Sequence, residues 1–159
     1  MTHEKHLLLL IEYRHGVPLK EPVHVQDLGG DAFRLLYAPG FIQGLAAGDD
    51  FRPMNDDGAF EVLRRGGNLT VQVFASEHAS PYQAEFAKRV ASVGGTLDGA
   101  IERGLSFTVP LSAGFPAIES IFNAWVSEHP GWEWYFGNVY DPIDGITPLG
   151  WWNERPQGD

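Results

Sequence analysis

The chain has 159 residues, of which 43% are hydrophobic, and a formal net charge of −10. This length is enough to bury a core in one large domain or in two small, closely packed modules. The absence of cysteine excludes disulfides, thiolate nucleophiles and cysteine-ligated zinc, and it favours a reducing compartment.

Short apolar segments separated by turns predict a β-rich module in residues 1–67. The predicted strands span residues 6–14, 22–27, 32–37, 50–54 and 60–64. Five short strands at close spacing are typical of a small antiparallel barrel or a curled sheet. The first apolar run is too short for a signal peptide, and no segment approaches the ~20 apolar residues of a membrane span, so we expect a cytoplasmic protein.

The pattern changes after Asn68 to strand–helix–strand–strand–helix–strand, the order of a ferredoxin-like module. The predicted strands span residues 69–73, 96–101, 105–111 and 132–139. One helix is predicted to begin at Ser80, with the serine as its cap, and another at Pro116. The predicted fold class is α+β: a small antiparallel β-barrel-like module (1–67), a ferredoxin-like βαββαβ module (68–140) and a Pro/Gly/Trp-rich tail (141–159) packed on the body.

Four segments carry a resemblance to a known family. They are FRLL at 33–36 with PGF at 39–41, GLAAGD at 44–49, RGGNLTVQV at 65–73 and Val109-Pro110. Together they resemble the bacterial domain-of-unknown-function family 4265 over residues 5–140. The resemblance implies the two-module fold and supplies no activity, catalytic residue or cofactor. The chain departs from the family pattern in its Trp-rich last strand and from residue 141 onward, where we expect a specific partner to be recognised.

The sequence carries no recognisable catalytic, metal or nucleotide motif. It contains no nucleophile elbow, phosphate-binding loop or dinucleotide fingerprint, and its six histidines lack zinc-site spacing. We therefore predict no catalytic residue, no metal and no cofactor. Thr70, Gln72, Ser106 and Thr108 are expected on the open face of the second sheet. They offer no aromatic ring to a base, and the net charge opposes phosphate, so nucleic-acid binding is not expected.

The last third of the chain is aromatic and acidic. It holds all five tryptophans, and it has no lysine or arginine between Arg103 and Arg155. Helical and strand spacing assigns Trp125, Trp132 and Trp134 to the core. The remaining acidic and aromatic residues form the candidate partner-binding set: Glu128, Glu133, Tyr140, Asp141, Asp144, Trp151 and Trp152. In such a set, carboxylates steer and pair with a basic partner and aromatic rings anchor it.

These features favour a non-enzymatic protein that binds a basic protein partner, as a monomer or homodimer, without nucleic acid or membrane. The most specific form of this hypothesis is an immunity protein that neutralises a cognate bacterial toxin. A small-molecule-sensing or regulatory ferredoxin-like module acting as a homodimer is the alternative. An enzyme is a third possibility, which would require a deep pocket with clustered carboxylates or histidines.

Overall fold

The computed structural model describes residues 4–153, and the last six residues of the predicted tail lie outside this range. The chain is an α+β protein with two antiparallel sheets, which confirms the predicted class. The first sheet contains β1 (Glu4–Arg14), β2 (Val17–Gly29), β3 (Ala32–Leu35), β4 (Asp50–Pro53) and β5 (Phe60–Arg64). The second contains β6 (Asn68–Phe74), β7 (Thr96–Ile101), β8 (Gly104–Pro110) and β9 (Glu133–Phe136), with helices α1 (Gln83–Ala91) and α2 (Phe115–Glu128).

The first sheet is a meander in which β1 to β5 pair in sequence order. It is not closed into a barrel, because β1 and β5 form its two edges; the barrel part of the prediction is therefore not confirmed. The turn between β4 and β5 nevertheless contacts β1, where the Leu10 N–H donates to Gly58 O at 2.9 Å. The sheet is thus curled. Its buried core residues are Leu9, Val23, Val25, Leu35, Ile42, Leu45 and Phe51.

Strand β2 begins five residues earlier than the sequence predicts. His15 and Gly16 both have positive φ, 54° and 77°, which suits a two-residue hairpin turn and lets β2 start at Val17. The early start was not predicted because the first part of the strand contains two prolines, Pro18 and Pro22. The half of β2 that contains Pro18 and Pro22 pairs with β1, whereas β3 pairs only from Val25 onward. Proline is tolerated in a strand when one side has no partner.

The second sheet has the strand order β7-β8-β6-β9, and α1 and α2 pack against one of its faces. Phe86 of α1 stacks on Trp125 of α2 with ring centroids 4.0 Å apart. Trp125 and Trp132 are buried and Trp134 is half-buried, so the predicted core positions are confirmed. The predicted serine cap is wrong: a 3-10 turn (Ser80–Tyr82) precedes α1, and no side-chain hydrogen bond caps either element.

The opposite face of the second sheet is covered by residues 36–49, the connection between β3 and β4. On this face Thr70, Gln72 and Ser106 are buried and donate to backbone carbonyls of that connection, whereas Thr108 is half-buried and donates to the Asp98 carboxylate. The prediction of an open outer face is therefore wrong. The pairs are Thr70 Oγ1 with Leu45 O (2.9 Å), Gln72 Nε2 with Ile42 O (2.9 Å) and Ser106 Oγ with Ala38 O (3.0 Å). These bonds hold the two sheets together. Within residues 4–153, neither helix has the length and apolar character needed to cross a membrane.

Candidate partner-binding surface

The acidic loop, defined as residues 141–147, is closed at its base by backbone pairing. Tyr140 and Pro148 form an isolated antiparallel bridge, and the Asp141 N–H donates to Thr147 O at 2.8 Å. Within the loop, Asp141 Oδ1 accepts the Ile143 N–H at 2.8 Å. An aspartate that bonds the backbone two residues ahead fixes a turn. The loop therefore has a defined shape.

Asp144 organises the far end of the acidic loop and keeps its charge. Its Oδ1 accepts the N–H groups of Ile146 and Thr147 at 2.8 and 2.9 Å, and its Oδ2 accepts the Thr147 hydroxyl at 2.5 Å. The pKa of Asp144 lies below its usual value. The largest cause is the bond from the Thr147 hydroxyl, and the two backbone bonds lower the pKa further. This carboxylate thus contributes a negative field even though its oxygens are engaged locally.

Two isoleucines project from the acidic loop into solvent. Ile143 is 95% exposed and Ile146 is 77% exposed. Scattered exposed apolar residues are normal, but large exposed groups on an ordered loop beside carboxylates resemble the anchors of an interface. Tyr140, at the base of the loop, is 41% exposed and adds an aromatic ring. The isoleucines were not among the predicted site residues, because their exposure depends on the turn.

Trp151 and Trp152 are half-buried and pack against the core of the second sheet. The Trp151 indole N–H donates to Asn138 O at 2.9 Å, and the Arg65 guanidinium lies 5.5 Å from the centroid of its ring. Trp152 meets Phe115 edge to face at 5.4 Å. These two predicted anchors therefore fasten the chain that follows the acidic loop to the body.

The two predicted glutamates differ in their partners. Glu128 forms a two-pronged ion pair with Arg89 of α1, at 2.7 and 2.9 Å, and this hydrogen bonding lowers the pKa of Glu128. Its charge is therefore compensated within the protein. Glu133 of β9 is exposed and accepts the hydroxyl of Tyr135 at 2.8 Å, a contact that leaves its charge in place.

An apolar groove, defined by Phe41, Phe74, Ile101, Gly99 and Gly104, opens beside Glu133 and Tyr135 at one end of the covered sheet face. It is shallow and open to solvent, with a cavity volume of about 40 Å³. Phe74 links the Phe41 ring at 6.2 Å to the Tyr135 ring at 6.0 Å, so the aromatic rings are contiguous. The sequence did not predict this groove, because its walls come from segments far apart in the chain.

Phe41 is held in place by Glu21 of β2. The Glu21 carboxylate accepts three consecutive backbone N–H groups, from Gly40 at 2.7 Å and from Phe41 and Ile42 at 2.9 Å each. The side chain of Ile42 is buried, whereas that of Phe41 is 40% exposed. Charge-assisted bonds to the backbone are strong, so they fix the segment that presents the Phe41 ring.

A second cleft, of about 180 Å³, lies between the two sheets and is lined by Pro22, Val23, His24, Tyr37, Ala38, Pro39 and Asp98. Asp98 Oδ2 accepts the Ala38 N–H at 2.7 Å, and the Tyr37 ring lies edge-on to the His24 ring at 5.6 Å. His24 Nδ1 is 3.0 Å from a carboxylate oxygen of Glu4. Within residues 4–153, no group of three or more histidine, aspartate or glutamate side chains is arranged to hold a metal ion.

The architecture defines the chain as an α+β protein built on two antiparallel sheets, with an acidic and apolar surface along the second sheet. The chain belongs to the family described as Domain of unknown function (DUF4265), whose model matches residues 21–134. The resemblance seen in the sequence is thereby confirmed, over a shorter range. Phe41, Phe74, Ile101 and Glu133 fall inside the match, and the acidic loop falls outside it.

One solved structure supports the fold. It is described as the "Novel crystal structure of a hypothetical protein from Neisseria gonorrhoeae", and it is 16% identical to this chain with a TM-score of 0.64. The similarity covers 86% of this chain and 94% of that one. No curated protein shows significant similarity to the chain.

Proposed function

We propose that this protein is a non-enzymatic binding protein of the bacterial cytoplasm that engages a basic protein partner. Its most specific form is an immunity protein that neutralises a cognate toxin with a cationic surface. The observation that carries the proposal is the acidic loop, on which Ile143 and Ile146 are almost fully exposed beside Asp141 and Asp144.

The composition of this surface matches a protein interface with a charged rim. Apolar anchors supply most of the binding energy at such interfaces, and surrounding charges set orientation and association rate. Residues 104–154 contain no lysine or arginine, so Glu133, Asp141 and Asp144 face no nearby base from their own stretch of chain. The net charge of −10 adds a long-range attraction for a cationic surface.

We interpret the second sheet with its two helices as a ferredoxin-like module and the curled first sheet as barrel-like. The strand order β7-β8-β6-β9, with both helices on one face, supports the first interpretation. In this arrangement β9 is an edge strand, and Tyr140 and the acidic loop follow it after a short connection. The module thereby presents the loop at the margin of the sheet.

The product of the reading frame next to this gene is the partner to test. We expect its association rate, measured by biolayer interferometry, to fall at least tenfold from low to high salt, because charge steering is screened. The double variant Asp141→Asn and Asp144→Asn should show the same loss at low salt. Asparagine keeps the Oδ1 acceptor that fixes each turn, and at position 144 its amide nitrogen can donate to the Thr147 hydroxyl in place of the bond that Oδ2 now accepts.

The matched control is Asp56→Asn with Asp57→Asn, which removes two carboxylates from the turn between β4 and β5. This control should retain most of the association rate. Equal losses in the two double variants, or binding that is insensitive to salt, would count against the proposed surface. Protection of growth when the neighbouring protein is expressed would support the immunity function, and unchanged toxicity would contradict it.

The cleft between the sheets favours a second candidate function, small-molecule sensing. Its cavity volume of about 180 Å³ is below the ~300–1,000 Å³ of pockets for drug-sized ligands, so the candidate ligand is a small metabolite, for which His24, Tyr37 and Asp98 supply polar groups. Saturable binding of a metabolite that is lost in Tyr37→Ala, together with a dimer in sedimentation experiments, would favour this candidate. A monomer that binds none of a metabolite library would contradict it.

A further inference from the structure

We propose that the apolar groove receives an aliphatic side chain of the basic partner, while a lysine or arginine adjacent to it lies against Tyr135 and Glu133. This inference rests on the proposed function and names the recognition element of the partner: an aliphatic residue beside a basic one in an exposed segment.

The size of the groove fits a side chain better than a free ligand. Its cavity volume of about 40 Å³ is open to solvent and is far below the ~300–1,000 Å³ typical of pockets for drug-sized molecules. Its walls are apolar and accessible, since Phe41 is 40% exposed and Ile101 is 55% exposed. An aliphatic group placed there would cover surface that water now contacts, which favours binding.

Two glycines leave room at the bottom of the groove. Gly104 of β8 pairs directly with Phe74 of β6, so the large ring has no side chain opposite it. A Cβ atom at Gly104 would lie 3.0 Å from Ile101, and one at Gly99 would lie 2.7 Å from the Ser106 hydroxyl. The bare backbone at these two positions therefore allows the groove to exist.

The charge beside the groove selects a cation. Glu133 and Tyr135 are two residues apart on β9 and lie on the same side of the sheet, and Glu133 pairs with Phe74 in the strand register. A cation is attracted to the face of an exposed aromatic ring, and here a carboxylate lies within reach of the same group. The adjacent β7–β8 turn carries one acidic and one basic residue, Glu102 and Arg103, and Glu102 lies 3.1 Å from His78 Nε2.

Residues 41–44 contact both the groove, through Phe41, and the acidic loop, through Gly44. The Gly44 N–H donates to Gly137 O at 2.7 Å, and a Cβ atom at Gly44 would lie 3.5 Å from Pro142. Because Phe41 is fixed by Glu21, the groove is already shaped before binding, which reduces the entropic cost of association. One partner segment could therefore contact both features.

Two blocked peptides test the inference: one with the sequence Gly-Arg-Leu-Lys-Gly and one with Gly-Arg-Gly-Lys-Gly. In a ¹⁵N NMR titration at low salt, the leucine peptide should shift the amide signals of Phe74, Gly99 and Gly104. We expect it to bind about tenfold more tightly than the glycine peptide, as burial of a leucine side chain predicts. The glycine peptide should shift mainly the signals of the acidic loop.

Phe41→Ala should abolish the preference for leucine, and Glu133→Gln should weaken both peptides. Tyr13→Ala removes an aromatic ring that is 53% exposed on β1 and serves as the control, with no expected effect. Equal affinity for the two peptides, or the absence of groove shifts, would overturn the inference. The proposed function is judged separately, by the salt dependence and the Asp141/Asp144 variant with the intact partner, so the two can fail independently.

Discussion

Asn138 is a buried side chain that extends the pairing of β9 with β6 beyond Phe136. Its Oδ1 accepts the Thr70 N–H at 2.9 Å, and its Nδ2 donates to Asn68 O at 3.0 Å. Its own carbonyl accepts the Trp151 indole N–H. Through its side chain and its backbone carbonyl, this one residue connects β6, the chain after β9 and the segment that follows the acidic loop, so it supports the candidate surface from beneath.

Asn138→Ala should lower the free energy of unfolding by about 2–3 kcal/mol, because it leaves the buried Thr70 N–H and the half-buried Asn68 carbonyl without partners. Urea unfolding followed by circular dichroism measures this change. Asn153→Ala, at an exposed position, is the control and should stay within about 0.5 kcal/mol of the parent. Similar stability in the parent and Asn138→Ala would contradict the structural role of this amide.

Asp50 links β3, β4 and β5 through two arginines. Its carboxylate, 13% exposed, accepts hydrogen bonds from Arg34 at 2.8 and 3.2 Å and from Arg64 at 3.0 Å. Partial burial raises the pKa of Asp50, but the bonds from Arg34 and Arg64 outweigh burial, and the pKa lies below its usual value. The ionised carboxylate therefore stabilises the folded state.

Asp50→Asn should cost about 1–2 kcal/mol at neutral pH, a modest value because both guanidinium groups are partly exposed. A lowered folded-state pKa means that the contribution is complete above the unfolded value of about 3.9 and is lost as pH falls through the folded value. The difference between parent and variant in urea unfolding should therefore shrink below pH ~4. A constant difference, or the same loss in Asp56→Asn, would contradict this assignment.

At the scale of elements, local sequence signals predicted most strands and both helices. They failed where contacts with other segments determine how an element begins. Strand β5 and strand β7 have their predicted bounds, because alternation and flanking glycines define them. Strand β2 can begin at Val17, despite Pro18 and Pro22, because this half of the strand pairs only with β1. Ser80 does not cap α1, since the chain enters the helix through a 3-10 turn. Neither the one-sided pairing of β2 nor the 3-10 turn before α1 can be predicted from the residue pattern of one segment.

Gly66 and Gly67, which connect β5 to β6, are required for different reasons. A Cβ atom at Gly66 would lie 2.4 Å from Gly48 O, so the β5–β6 connection passes directly against the β3–β4 connection. Gly67 has open space around it but a φ of 88°. The first glycine is needed for a close approach between segments and the second for its backbone conformation.

Gly66→Ala should lower the free energy of unfolding by about 3 kcal/mol, because rigid backbone has to shift. Gly67→Ala should cost only about 1–2 kcal/mol, the strain of a left-handed alanine. Parallel urea titrations of the two variants check the order. A larger loss for Gly67→Ala would show that the two connections separate easily, which would also weaken the case for a preformed groove.

At the scale of the whole molecule, the sequence located the acidic surface but not its apolar part. The absence of lysine and arginine between Arg103 and Arg155 identifies the carboxylates directly. The groove depends on the register that places Phe74 opposite Gly104, and on Glu21 fixing a segment about twenty residues away. The burial of Gln72 likewise depends on a covering segment that no strand pattern reveals. Long-range pairing of this kind is not encoded in local periodicity.

The polar interface between the sheets predicts that they unfold together. Gln72 is buried and donates to both Pro39 O and Ile42 O. Separation of the second sheet from the covering connection would therefore leave the Gln72 amide and these two carbonyls without hydrogen-bond partners.

Urea unfolding followed by two signals tests this cooperativity. All five tryptophans belong to the C-terminal part of the chain, so their fluorescence reports on the second sheet, whereas far-ultraviolet circular dichroism reports on both sheets. We expect the two signals to give coincident urea transitions, the mark of a cooperative unit. Gln72→Ala should move both midpoints together to lower urea. A circular-dichroism transition that precedes the fluorescence transition would instead show that the second sheet is stable alone, and that the covering connection, with Phe41 and the groove, docks on it as a separate step.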